Sequence, residues 1–131
     1  MTKKVLVPDE KGRFFARAVR IGQFLFISGM TGQWDLTTWE LDKKSIGNVE
    51  YQTHRIFEWV QQVLAKCGLT LKDVVKTTTF VRNIKDVDTI TGIKHQYWPD
   101  SDVANSAVAV SDFIGTADLE IEWIAVYPDG K

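Results

Sequence analysis

Apolar and polar positions change period several times along the chain, and each change marks an element. Residues 13–22, RFFARAVRIG, and 23–29, QFLFISG, are runs of aromatic and β-branched residues that meet at Gly22, which predicts two strands joined by a tight turn. FLFI, residues 24–27, is apolar at successive positions, the pattern of a strand covered on both faces. Residues 30–45, MTGQWDLTTWELDKKS, have turn composition with a few apolar residues and predict a loop with a short hairpin. Between Asn48 and Cys67 the positions Val49, Ile56, Val60, Val63, Leu64 and Cys67 recur at helical spacing, with Gly68 as a stop. DVVKTTTFVRN then has the β-branched density of a central strand, and KDVDTITGIKHQYWPD predicts a second helix, weakened by Gly92 and ended by Pro99. VANSAVAV and LEIEWIAVY close the chain as two strands joined by the turn-rich SDFIGTAD. The order β-β-loop-α-β-α-β-β predicts an α+β domain with both helices on one face of the sheet. The other face then needs a cover, which in so small a domain points to another subunit and to clefts lined from two chains.

Composition narrows the partners. With 131 residues, 44% hydrophobic and 25% charged, the chain falls within the range of one soluble globular domain; nothing in it reads as a linker or repeat, so residues 1–131 are taken as one unit. Sixteen basic against seventeen acidic residues give a net charge of −1, and no Lys/Arg block tracks a phosphate backbone, which argues against nucleic acid as partner. No apolar run approaches the ~18 residues of a membrane span, and MTKKVLVPDEKG lacks the apolar core of a signal peptide, so a cytoplasmic location without membrane attachment is expected. The single cysteine, Cys67, has no disulfide partner and no clustered ligands for a metal, and reads as packing.

Candidate chemistry gathers near the C-terminus. A period of two puts Glu120 and Glu122 on one strand face and Leu119, Ile121, Trp123 and Ala125 on the other. Two carboxylates so spaced raise one another's pKa and can leave one as a proton carrier near neutrality, or they pair with basic residues at a subunit contact. Asn105 shares a face with Ala107 and Ala109, a small-residue floor with one amide that suits a pocket, although the amide can equally bond neighbouring backbone. Five tryptophans are many for this length; Trp59 and Trp98 lie in helical segments and read as core or interface, while Trp34 and Trp39 lie in the loop after Gly29, where large rings shape a pocket wall. His54 and His95 each sit on a helix without a triad or metal-ligand pattern, and Ser28 lacks the nucleophile-elbow sequence, which leaves it a hydrogen-bonding role.

Three stretches together, VRIGQFLFISGMTG, EYQTHRIFEWVQQVLAKCGLTLKDVVKTTTFVRNIKDV and EIEWIAV after SAVAV, resemble the reactive-intermediate deaminases, the YjgF or Rid family, in order and spacing over nearly the whole chain. The resemblance implies a chorismate-mutase-like α+β fold, a homotrimer with clefts between subunits, and no cofactor. It also implies a small-molecule substrate, since deaminases of this family hydrolyse enamines or imines to a keto acid and ammonia; an arginine grips the substrate carboxylate and a glutamate positions the attacking water. Carried over by position, Ser28 and Gly29 match the family's SG, Glu120 matches the first glutamate of EIE, and Ala107 falls where a small residue or cysteine is usual. Three anchors differ: Asn105 stands where the arginine belongs, Phe15 where a tyrosine is common, and Thr91 where an asparagine is often found. Losing a charge-assisted hydrogen bond weakens the grip on a carboxylate by roughly 1.5–3 kcal/mol, so either another cation substitutes, with Arg17 the leading one because alternation places it on the face of Phe15, or the substrate carries no carboxylate there. The expected reaction is therefore addition of water to an enamine or imine that is not a simple 2-imino acid, with Glu120 catalytic and with Asn105, Phe15, Arg17, Ser28, Gly29, Ala107, Thr91 and Trp34 contacting substrate. Two alternatives stand beside it: a hydrolase or isomerase of an aromatic or ring-opened intermediate, and a binding protein that kept the cleft without the chemistry.

Overall fold

The computed structural model describes all of residues 1–131. Gly22, at φ 57°, supplies the left-handed turn between β2 (Ala16–Ile21) and β3 (Phe24–Thr31), so the predicted first hairpin forms with only Gly22 and Gln23 between its strands. A further strand, β1 (Lys4–Pro8), pairs antiparallel on the outer side of β2. Of its five residues only Val7 is buried, so its alternation is too weak to read from sequence.

Helix α1 (Val49–Lys66) starts where the Asn48 side chain accepts from Tyr51 N at 3.0 Å and ends where Gly68 turns with φ 76°. Strand β4 (Val74–Val81), helix α2 (Val87–Tyr97), strand β5 (Ala104–Ala109) and strand β6 (Leu119–Val126) follow in the predicted order. The six strands lie in the order β1-β2-β3-β6-β4-β5, antiparallel throughout except for the parallel pair β4–β5, which α2 connects. The loop between β3 and α1 carries a single bridge, Trp34 to Leu41, the reduced form of the predicted short hairpin.

The core lies between the helices and one face of the sheet. Phe57 of α1 stacks on Tyr97 of α2 at 4.0 Å and meets Trp123 of β6 edge-on at 5.5 Å, with Leu25, Ile27, Met30 and Ile121 buried around them. Each such side chain contributes about 1.5–3 kcal/mol of burial. Gly32 lets β3 reach α1: a Cβ there would lie 2.5 Å from Gln52 Cα. The other sheet face is open. Phe24, Phe26 and Val108 on it are each close to half exposed, so FLFI is covered on one side only within the chain.

Candidate active site

A bulge in β3 creates the cleft. Ile27 pairs with Trp123 and Met30 with Ile121, so three steps along β3 match two along β6 and the Ser28 and Gly29 carbonyls turn out of the ladder. Arg17 collects both, donating from Nη1 to Gly29 O at 2.9 Å and to Ser28 O at 3.3 Å. It sits at a second irregularity, where Val7 pairs with Ala18 and Pro8 with Ala16, and this skipped position swings its side chain inward. Its Nε donates to Glu10 at 3.2 Å, Nη2 reaches Asp9 at 3.4 Å, and the guanidinium lies 4.4 Å from the Trp59 ring centroid. Arg17 is thus a buried strut already paired with carboxylates, not a cation held ready for a ligand. Asp9 is in turn gripped by Arg13 at 2.8 and 2.9 Å, and those bonds hold its carboxyl well below the usual carboxylate range.

Glu120 lies on the bulge. Its carboxyl occupies the space a Gly29 side chain would need, for a Cβ there would come 2.7 Å from Glu120 Cδ. Burial and the neighbouring Glu122 carboxylate raise the Glu120 pKa, while Arg17 pulls it the other way. The cleft around it, about 260 Å³, is walled by Phe15, Trp34, Trp59 and Phe113, and its two cations, Arg13 and Arg17, are both ion-paired. A half-buried carboxyl with raised pKa, set among rings and backed by backbone, can hold a water and accept its proton.

Five of the nine expected site residues therefore meet in one cleft: Phe15, Arg17, Gly29, Trp34 and Glu120. Ser28 donates to Ala16 O at 2.7 Å and faces a separate hollow on the open sheet face with Lys76 and Glu122. Asn105 and Thr91 line a different cleft, beside α2. Ala107 of β5 pairs with Thr79 of β4 and borders neither. Asn105 bonds side chains rather than backbone: its Oδ1 accepts from Thr77 Oγ1 at 2.8 Å, Thr79 Oγ1 at 3.2 Å and Lys94 Nζ at 2.9 Å. An ammonium can only donate, which turns the amide oxygen toward Lys94. A guanidinium at this position would face a like charge, so the asparagine fits the lysine.

Sequence reasoning missed Lys94 and Trp59 as lining residues of these clefts and Glu10 as the carboxylate paired with Arg17. For Lys94 a signal existed, since it is the one charged residue on the buried stripe of α2 with Ile90 and Ile93.

The family model described as endoribonuclease L-PSP matches residues 7–127. The chain belongs to this family, that of the YjgF and Rid proteins. It is 31% identical over 111 residues to a RutC family protein of Pyrococcus abyssi, covering 85% of this chain and 84% of that one. The 2-iminobutanoate/2-iminopropanoate deaminase of Dermatophagoides farinae is 28% identical over 92% of this chain and 91% of its own length. Among solved structures, the Rid protein YyfA of Yersinia pestis superposes with a TM-score of 0.85 at 28% identity, covering 95% of this chain and 99% of that one. Rid-family relatives named as deaminases support an imine deaminase function at the level of the family.

Proposed function

We propose that this chain hydrolyses an enamine or imine of a small metabolite, with Glu120 as the base. The observation that carries the reading is the Glu120 carboxyl, held over Gly29 in an aromatic cleft with its pKa raised by burial and by Glu122. An enamine first takes a proton on carbon to become the imine. A water hydrogen-bonded to Glu120 adds to the C=N carbon, its proton passing through the carboxylate to nitrogen; the carbinolamine then collapses to the carbonyl compound and ammonia.

The substrate we infer is flatter and less charged at the reacting end than a simple 2-imino acid. Both arginines of the cleft are ion-paired, and Phe15, Trp34, Trp59 and Phe113 offer ring faces. A phosphodiester, which the family's description as an endoribonuclease suggests, would bring negative charge against Glu120. Within one chain Asn105 sits on the helix-covered sheet face with Thr77 and Thr79, and Glu120 on the other. A homotrimer is the assembly we propose to cover the apolar open face and to bring a neighbour's β5 edge toward the Glu120 cleft; a monomeric mass in solution would refute it.

The decisive experiment is ammonia release from 2-aminoacrylate and from bulkier aryl-substituted enamines generated in place. Turnover that favours the bulkier substrates and is lost in Glu120→Gln supports the reading. Turnover that survives in Glu120→Gln refutes it, and ligand-induced thermal shifts without turnover would favour a binding protein.

A further inference from the structure

The cleft beside α2 has a chemistry that the Glu120 cleft lacks. It encloses about 170 Å³, enough for a molecule of a few carbon atoms, and its wall is made of hydroxyls and an amide, from Thr77, Thr91, Ser101 and Asn105, together with Lys94 and His95. No aspartate or glutamate lines it, and Lys94 makes no ion pair. Lys94 is only 8% exposed, yet it borders this space.

The hydrogen bonds of Lys94 are what matter. Its Nζ donates to Asn105 Oδ1 at 2.9 Å and to Thr79 Oγ1. An ammonium has three N–H bonds, so one is left without a partner in the chain; a neutral amine has two, both then used, and its lone pair takes the remaining direction. Asn105 and Thr79 hold the amine by two hydrogens and leave its third direction without a hydrogen-bond partner in the chain, on a side chain that lines the cleft. We propose that Lys94 is an amine nucleophile that captures a small aldehyde or ketone, 2-keto acids included, as an imine in this cleft.

Its surroundings favour the neutral form. Burial, with a smaller push from Lys76 on β4, lowers the Lys94 pKa from 10.5 to about 8. The remaining titratable group on the cleft wall is His95 of its own helix, and Asn105 and the threonines that face it from β5 and β4 carry no charge. Desolvation and a nearby second cation are the two means by which lysines are activated as nucleophiles. At neutral pH the neutral fraction of Lys94 exceeds that of an ordinary lysine by about three hundredfold.

The step is balanced without an outside reagent. The Nζ lone pair forms a bond to the carbonyl carbon, and the oxygen takes up a proton shed by nitrogen to give a carbinolamine. Loss of the hydroxyl with a second proton from nitrogen releases one water and leaves C=N. Hydrolysis reverses it.

The test uses the intact chain with pyruvate and sodium cyanoborohydride, which reduces an imine to a stable secondary amine, followed by peptide mass mapping from pH 6 to 10. Lys94 should be modified at least tenfold faster than any other lysine at pH 7, with a midpoint near pH 8, and Asn105→Ala should erode that selectivity. Lys94→Arg keeps the charge, and with an unchanged melting profile it should remove the fast phase from the whole protein. Labelling that follows surface exposure, or a Lys94 that reacts only in denaturant, overturns the proposal. So does saturable pyruvate binding that requires Lys94 but leaves no adduct, which would make the lysine an anion anchor.

Discussion

Arg17 and Lys94 are both cations more than nine-tenths buried, at 1% and 8% exposure, yet their surroundings differ completely. Arg17 is wrapped by Glu10, Asp9 and two carbonyls of the β3 bulge. Lys94 has only a hydroxyl and an amide oxygen. A guanidinium stays charged at any working pH, so burying it requires counter-charge and its value is positional. An ammonium can discard its proton instead, and without counter-charge it is drawn toward doing so. One cleft is thus organised around a fixed cation that shapes a carboxyl's seat, and the other around a titratable one.

The sharpest way to separate the clefts is Glu120→Gln. Loss of a general base costs about 10²–10⁴-fold in turnover, and ammonia release should fall by that amount while the melting temperature stays within error of wild type. A fall in stability instead would make Glu120 part of the scaffold.

Arg17→Met tests the other half of the comparison. Removing one partner of a buried ion pair leaves the other uncompensated, at a cost of about 3–5 kcal/mol. Asp9 keeps Arg13, so the loss falls on Glu10 and the two bulge carbonyls, and denaturant unfolding should place the cost near the lower bound. A cost under about 1 kcal/mol, the range of an exposed pair, would mean that the bulge stands without its strut.

For Lys94→Met the sign should reverse. The folded-state pKa lies below the unfolded one, so the unfolded chain binds more protons between about pH 8 and pH 10.5, and wild-type stability rises with pH across that window. Below it the buried ammonium costs up to about 3 kcal/mol relative to the neutral amine. A methionine side chain carries no such cost, so the variant should be the more stable protein at pH 7, with the difference shrinking toward pH 10.5 in unfolding curves recorded at each pH. A variant less stable than wild type at every pH would show that the bonds to Thr79 and Asn105 outweigh desolvation.

How much of this was legible in the sequence depends on the range of the interaction. Gly22 and Gly68 announce a turn and a stop by local backbone chemistry, and the elements they bound form where expected. Glu120 and Glu122 share a face because a strand has period two, and they do so here. The same alternation puts Arg17 on the face of Phe15, and both line the Glu120 cleft, but the engagement of Arg17 with Glu10 and Asp9 depends on how the chain before β2 folds back, and a skipped pairing position has no sequence signature. Asn105 read as an anomaly because its partner lies eleven residues away on a helix, joined to it only by tertiary packing.

The smallest effect is also the most selective. Glu122 raises the Glu120 pKa through its charge while Arg17 lowers it, so removing either moves the acid limb of a pH–rate profile, in opposite directions. With Glu120 as base, activity falls as pH drops through its pKa. Glu122→Gln should therefore shift that limb to lower pH, and Arg17→Met should shift it higher; each shift should be about one unit or less, equivalent to at most about 1.4 kcal/mol. Glu122 is exposed and lines the open face, so its charge can be removed with little effect on folding. If both variants move the limb the same way, the titrating group is not Glu120, because a carboxyl beside both Glu122 and Arg17 must respond to the two losses in opposite directions.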